Sequence, residues 1–177
     1  MNQVLTDAPF KSPVANAEPS KTDLHASLSG LELLTFQCGG RGYAVDIMAV
    51  REIRSWSQPT PLPHAPPYML GMVNLRGSVL PVMDLAQRLG QAPTEENPRN
   101  VIIVIQQGNR LHGLLVDAVS DIVHPQPDQM QDMPKAVADE TSGMSERLFV
   151  VEDLMIQVLS IDCVLPELSR QIGDGLQ

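Results

Sequence analysis

Four histidines, two cysteines and three strand-end aspartates are the side chains of this sequence whose types could support chemistry. His25, His64, His112 and His124 stand apart, and none has the i, i+4 partner or adjacent carboxylate that a zinc site needs. Cys38 and Cys163 lack metal spacing and read as small core residues, reduced as in a cytoplasmic protein. No GxSxG, P-loop or strand-to-helix GxGxxG occurs. GGRG at 39–42 suits a hairpin turn better than a phosphate cradle. Asp46, Asp84 and Asp117 each close an apolar run. Such carboxylates could act as acid and base, but the simpler role is to cap a helical turn that follows. The residues therefore point to no catalytic group, no metal and no cofactor.

One charge is harder to dismiss. In GMVNLRGSVLPVMDL, residues 71–85, Arg76 is the only charged side chain between Gly71 and Asp84. Glu52 stands between Arg51 and Arg54. Arg76 is either a solvated loop arginine or the partner of Glu52 at the rim of an apolar patch. A planar guanidinium held by a carboxylate positions a recognition surface. Exposed, the pair would set partner choice and register more than stability. Trp56 reads as an interface anchor or as a lid over a core, and most of the nine methionines as core filling.

The elements that must hold these residues are short strands. LELLTFQC (31–38) and YAVDI (43–47) alternate on either side of GGRG and make a hairpin. Asp46 is placed to cap one helical turn, and REIRSW then forms a third strand with Val50, Glu52 and Arg54 on one face. Pro66 and Pro67 suit a short helix ending at Gly71. GSVLPVMDL is a strand whose Pro81 marks an edge or bulge, and DLAQRLG closes it with a helical turn.

The pattern then restarts. VIIVIQ (101–106), a QGNR turn, LHGLLVD (111–117) and AVSDIV repeat the first unit, with Val45-Asp46 and Val116-Asp117 lying 71 residues apart. DLMIQVLSID (153–162) echoes GSVLPVMDL. Two copies of one β-unit, with Gly/Pro turns and single-turn helices, argue for small barrels. Residues 126–146 form a long polar connection, residues 1–29 a flexible arm and 166–177 a tail.

Bulk properties agree. The chain has 177 residues, enough for a core without staples. Hydrophobic residues are 43% and aromatics only 3%, so the core is aliphatic. A net charge of −9 disfavours nucleic acid and anionic membrane surfaces. The N-terminus carries no secretory apolar stretch, and no run nears the roughly 18 apolar residues of a membrane span. A small β-barrel enzyme and a nucleic-acid-binding barrel are the rival classes.

LLTFQCGGRGYAVDIMAVREIRSW, LGMVNLRGSVLPVMDL and VIIVIQQGNRLHGLLVDAVSDIV, in that order over about 31–165, resemble the CheW-type chemotaxis coupling proteins. The resemblance implies an all-β fold of two SH3-like, five-stranded barrels, about 30–95 and 96–165. It implies a non-catalytic adaptor between a chemotaxis histidine kinase regulatory domain and the cytoplasmic tip of chemoreceptors, in the cytoplasm at receptor arrays. By the same resemblance Val50, Glu52, Ile53 and Arg76 fall in the kinase-contact region, and Gly71, Asn74, Val101, Ile102 and Ile122 in the receptor-contact groove. Ser160 departs from the family's usual aspartate.

Overall fold

The computed structural model describes residues 30–140 and 143–166. The expected arm (1–29), with His25, and the tail beyond Pro166 lie outside the described residues. Strands dominate: β1 (Leu33–Cys38), β2 (Arg41–Asp46), β3 (Val50–Ser55), β4 (Met69–Leu75), β5 (Ser78–Asp84), β6 (Val101–Gln107), β7 (Arg110–Val116), β8 (Ala118–Val123), the two-residue β9 (Gln131–Asp132), β10 (Ser145–Val151) and β11 (Leu154–Leu159). The helices are short: α1 (Leu85–Arg88), α2 (Lys135–Glu140) and α3 (Ile161–Val164).

Two sheets form, in the orders β8-β1-β2-β11-β10-β9 and β3-β6-β7-β5-β4. The fold is all-β, with two SH3-like subdomains; β9 adds a sixth strand to one of them. A division of the chain near residue 95 does not survive. β1 and β2 sit with β8–β11, and β3–β7 make up the other sheet. The exchange happens at the 3₁₀ turn Ile47–Ala49, which carries the chain from one sheet to the other directly after the first hairpin. Each hairpin therefore completes the barrel built from the opposite copy.

The duplication itself is visible in the ladders. Leu34 pairs with Ile122 and Phe36 with Val119; Ile103 pairs with Ile53 and Ile105 with Val50 in the same way, a displacement of 69 positions (Phe36 to Ile105). Met69–Met83 and Gly71–Val82 recur as Ser145–Leu159 and Arg147–Val158, displaced by 76 (Gly71 to Arg147). Even the register shifts recur in corresponding places, at Leu34/Phe36 and Val50/Glu52, and at Met69/Gly71 and Ser145/Arg147. The 71-residue match of Asp46 to Asp117 is thereby corrected: ladder pairing aligns Asp46 with Leu115. Asp117 lies between β7 and β8, where its amide donates to the Gln37 carbonyl at 3.0 Å, and no helical turn follows it to be capped.

Packing explains why some runs are apolar on both sides. One core lies between the sheets and takes Leu34, Phe36 and Val45 from one and Ile103, Ile105 and Leu114 from the other. Each sheet also folds over a smaller core on its opposite face: Leu75, Leu80, Val82, Ile102 and Val104 in the β3–β7 barrel, and Leu33, Ala44, Phe149 and Ile156 in its counterpart. VIIVI is continuous because alternate residues of β6 enter different cores. Trp56 is a lid, half-buried against the small core of the first barrel.

Other local signals hold, apart from the helix expected before Gly71. Gly39 and Gly40 take φ of 57° and 74° in the hairpin turn, as a two-residue connection that follows strand twist requires. Asp46 accepts from the Met48 amide at 2.9 Å and caps the 3₁₀ turn. Pro81 lies where β5 has β4 alone beside it, since pairing to β7 begins at Val82. The expected helix before Gly71 is absent. Met69–Leu75 is strand, and Gly71 (φ 144°) lets the Thr60 backbone approach so closely that a Cβ would stand 2.1 Å from the Thr60 carbonyl oxygen. The Thr60–Met72 bridge supplies hydrogen bonds that a helix there would have forfeited.

Candidate functional site

The Glu52–Arg76 pair exists. Glu52 Oε2 lies 3.2 Å from Arg76 Nη2, and Glu52 Oε1 lies 3.2 Å from Arg54 Nη1. The strand pattern places Val50, Glu52 and Arg54 at alternate half-buried positions. The bulge after Val50 turns Glu52 and Arg54 toward the side on which Trp56 packs, while Val50 packs against the central core. The Glu52 side chain is 21% exposed and that of Arg76 is 80% exposed. The carboxylate is thus the fixed partner, and the guanidinium reaches from solvent. Arg76 heads the β4–β5 turn with φ 51°, followed by Gly77 at φ 85°, and the Gly77 amide donates to Asn74 Oδ1 at 3.0 Å. A non-glycine residue in that region costs about 1–2 kcal/mol, so Asn74 and Gly77 hold the turn against strain at Arg76.

Exposed apolar side chains lie on the strands that carry the pair and on the segments next to them. Val79, Met48, Ile53 and Leu62 are exposed. Ile53 occupies the face of β3 opposite Glu52. The proposed kinase-contact residues therefore use both faces of an edge strand. Sequence reasoning passed over Val79, Met48 and Arg54 as members of this rim. The clue for Arg54 was its i, i+2 spacing from Glu52 on a strand; for Val79 it was the alternation Val79–Leu80 after the turn.

The receptor-contact set is less unified. Ile102 is 0% exposed in the small core of the β3–β7 barrel and cannot meet a partner. Its strand lies between β3 and β7 with a core on each face, so the groove assignment is corrected for this residue. Gly71 is buried and serves the Thr60 approach. Asn74 is exposed but engages the turn; Val101 is half-buried against the central core; Ile122 is exposed on β8 in the other sheet.

The opposite barrel end differs. Asp121 stands where Glu52 does, and Glu152 where Arg76 does, Glu152 and Asp153 taking φ of 48° and 65° in the equivalent turn. Among the described residues neither Asp121 nor Glu152 forms an ion pair. Both line a hollow of about 660 Å³ with Thr35, Gly42, Val151 and Ile156. The corresponding positions in the first barrel are filled by Val104 and Leu111 instead of Thr35 and Gly42.

The remaining titratable groups describe a structural interior. Burial first, and then Asp117 and Asp84, hold the Cys38 thiol far above its ordinary range, which makes it inert. Burial raises Tyr43, with Cys38 adding to the rise and Arg41 and Gln91 opposing it. Burial, assisted by Arg110, lowers His112. His64 lies exposed in the proline-rich loop, and His124 Nδ1 is 3.7 Å from Glu32. Among the described residues no three His, Cys, Asp or Glu side chains gather as metal ligands would. Asp84 is a cap: it accepts from the Ala86, Gln87 and Thr94 amides and from Thr94 Oγ1.

Comparison with known proteins agrees with this geometry. The profile of the CheW-like domain matches residues 32–169. The chemotaxis protein CheW of Rhizobium meliloti is 44% identical over 147 residues, covering 83% of this chain and 95% of that protein. CheW of Bacillus subtilis is 29% identical over 143 residues, covering 81% and 92%. The crystal structure of the scaffolding protein TtCheW from Thermoanaerobacter tengcongensis superposes with a TM-score of 0.68 at 26% identity, covering 74% of this chain and 89% of that one. With its interleaved barrels and its matched span, this chain belongs to the CheW-like family and is an adaptor of chemotaxis signalling.

Proposed function

We propose that this protein is a non-catalytic coupler that holds a chemotaxis histidine kinase and transmembrane chemoreceptors in one signalling array, on the cytoplasmic side of the membrane. The observation that carries this reading is the rim of the β3–β7 barrel. There a half-buried Glu52 pairs with the exposed Arg76 guanidinium, and Ile53 on β3, Met48 just before it and Val79 on β5 are exposed too. Apolar surface edged by a positioned charge is ordinary interface anatomy. The kinase regulatory domain is the partner assigned to this rim, through Val50, Glu52, Ile53 and Arg76. The receptor tip is assigned to Asn74, Val101 and Ile122, with Gly71 shaping the backbone beneath. Array assembly favours several moderate contacts over one tight one. Among the described residues no helix is long and apolar enough to cross a membrane.

A second reading concerns the output. Protein FrzA of Myxococcus xanthus is 30% identical over 112 residues, covering 63% of this chain and 64% of that protein. The same adaptor surface would serve a pathway without flagella. Reconstitution with a receptor tip and kinase tests the coupling itself. Kinase phosphorylation under receptor control should require this protein, and control that is equally strong in its absence would defeat the proposal.

A further inference from the structure

The first halves of β5 and β7 are not zipped together. Their parallel pairing begins at Val82–Gly113, so Ser78–Pro81 and Arg110–His112 carry no ladder between them, and Pro81 has no amide hydrogen with which to extend one. A hollow of about 350 Å³ opens there, lined by Ser78, Val79 and Pro81 on one side and by Asn109, Arg110 and His112 on the other.

The two strands fix which side chains face it. Leu80 and Val82 enter the small core of this barrel with Leu111, and a side chain on Gly113 would collide with Ile102 and Val82. Alternation therefore turns Val79, Pro81, Arg110 and His112 to the opposite face.

His112 is the anomaly on that face. In the duplicated plan it corresponds to Tyr43, whose hydroxyl accepts from Gln91 Nε2 at 2.7 Å. His112 is 2% exposed, and neither ring nitrogen has a hydrogen-bond partner among the described residues. Buried polar atoms are rarely left so in native folds. Burial, with Arg110 assisting, lowers the imidazole, so near neutral pH the ring is uncharged and keeps one N–H to donate. Arg110 is exposed and forms no ion pair among the described residues. Ser78 and Asn109 add uncharged donors, and no carboxylate is among the lining residues. A hollow with one formal positive charge, several donors and no anion of its own suits a singly charged oxyanion with two acceptor atoms, which is a carboxylate.

We propose that this hollow binds a small free carboxylate, whose oxygens accept from the Arg110 guanidinium at the exposed end and from the His112 imidazole at the buried end. The volume lies at the lower end of small-molecule sites, about 300–1,000 Å³. The ring nitrogens are closed to bulk water, so the ring turns toward the hollow as the anion seats, and the bond forms where water competes poorly. The site begins two residues after Arg76 but uses neither member of the Glu52–Arg76 pair. It therefore goes beyond the coupling function, and its test needs no partner protein.

The test is NMR of the full chain near neutral pH, with sodium acetate titrated against sodium chloride at matched ionic strength. Acetate should shift the His112 ring signals and the amides of 78–79 and 109–112 along one saturating curve, and chloride should not. Arg110→Gln alters only an exposed side chain and should weaken acetate binding about tenfold or more, as loss of a charged hydrogen-bond donor does. His112→Phe should abolish the response; should that variant fail to fold, Arg110→Gln decides the matter alone. A capped glutamyl peptide should bind more weakly than acetate, since its carboxylate comes with a backbone to accommodate. No saturation, an equal response to chloride, an Arg110→Gln curve that superposes on that of the unaltered chain, or tighter binding of the capped peptide would overturn the proposal.

Discussion

The two barrel ends are built on one plan and finished differently. At one end, Glu52 holds Arg76 and Arg54, and the interior is filled by Val104, Leu111 and the Trp56 lid. At the other, Asp121 and Glu152 leave two like charges at the mouth of a hollow floored by Thr35 and Gly42. The helical turns beyond the strands differ too. Asp84 accepts four hydrogen bonds at the start of α1, whereas its counterpart Ser160 makes no side-chain cap bond to α3. Ladder register thus preserves the frame, while the side chains at rims and caps carry the difference between a rim of paired charges and an open mouth.

The largest effect that can break this contrast lies at the caps. Asp84→Ala should cost about 3 kcal/mol, because it strands buried amides that only this carboxylate satisfies; Ser160→Ala should change stability by no more than about 0.5 kcal/mol. Urea unfolding midpoints measure both, and equal losses would erase the asymmetry. Next comes the bulge. Gly71→Ala places a Cβ 2.1 Å from the Thr60 carbonyl oxygen at φ 144°, and should cost about 2 kcal/mol. Arg147→Ala at the matching position of β10 should cost under about 1 kcal/mol, again by urea titration. The smallest effect sharpens the charge comparison. Glu152→Arg sets an arginine opposite Asp121 and should raise stability by up to about 1 kcal/mol at low salt, a gain that fades in 1 M salt as screening shortens to about 3 Å. A gain that is indifferent to salt would mean that the charge is not its source.

Much of the frame was legible. The hairpin at 33–46 and the Asp46 and Asp84 caps follow from local spacing, and local spacing is what these features obey, whereas the bulge that parts Val50 from the face of Glu52 and Arg54 was not legible and the Glu52–Arg76 pair was one of two alternatives. The strand exchange was not legible, because nothing in the chain near Ile47–Ala49 states which sheet the next strand joins. The same gap misplaced Ile102. A residue in an apolar strand looks available until the strands on either side, and the two cores, are known. Gly71 misled for a related reason: a glycine after prolines suggests a helix stop, whereas its use here is a close approach by Thr60, 11 positions earlier in sequence. His112 showed only alternation, and its lack of a hydrogen-bond partner among the described residues emerges when it is set against Tyr43.

The central claim is that the Arg76 rim is a docking point and contributes little to the fold. The most direct measurement is the affinity of the kinase regulatory domain for the unaltered chain and for Arg76→Glu, read beside their melting temperatures. The account predicts binding weakened about tenfold or more, equivalent to about 1.4 kcal/mol, with Tm shifted by no more than about 2–4 °C, as expected for an exposed pair. Unchanged affinity, or a collapse of Tm that carries the binding loss with it, would contradict the account.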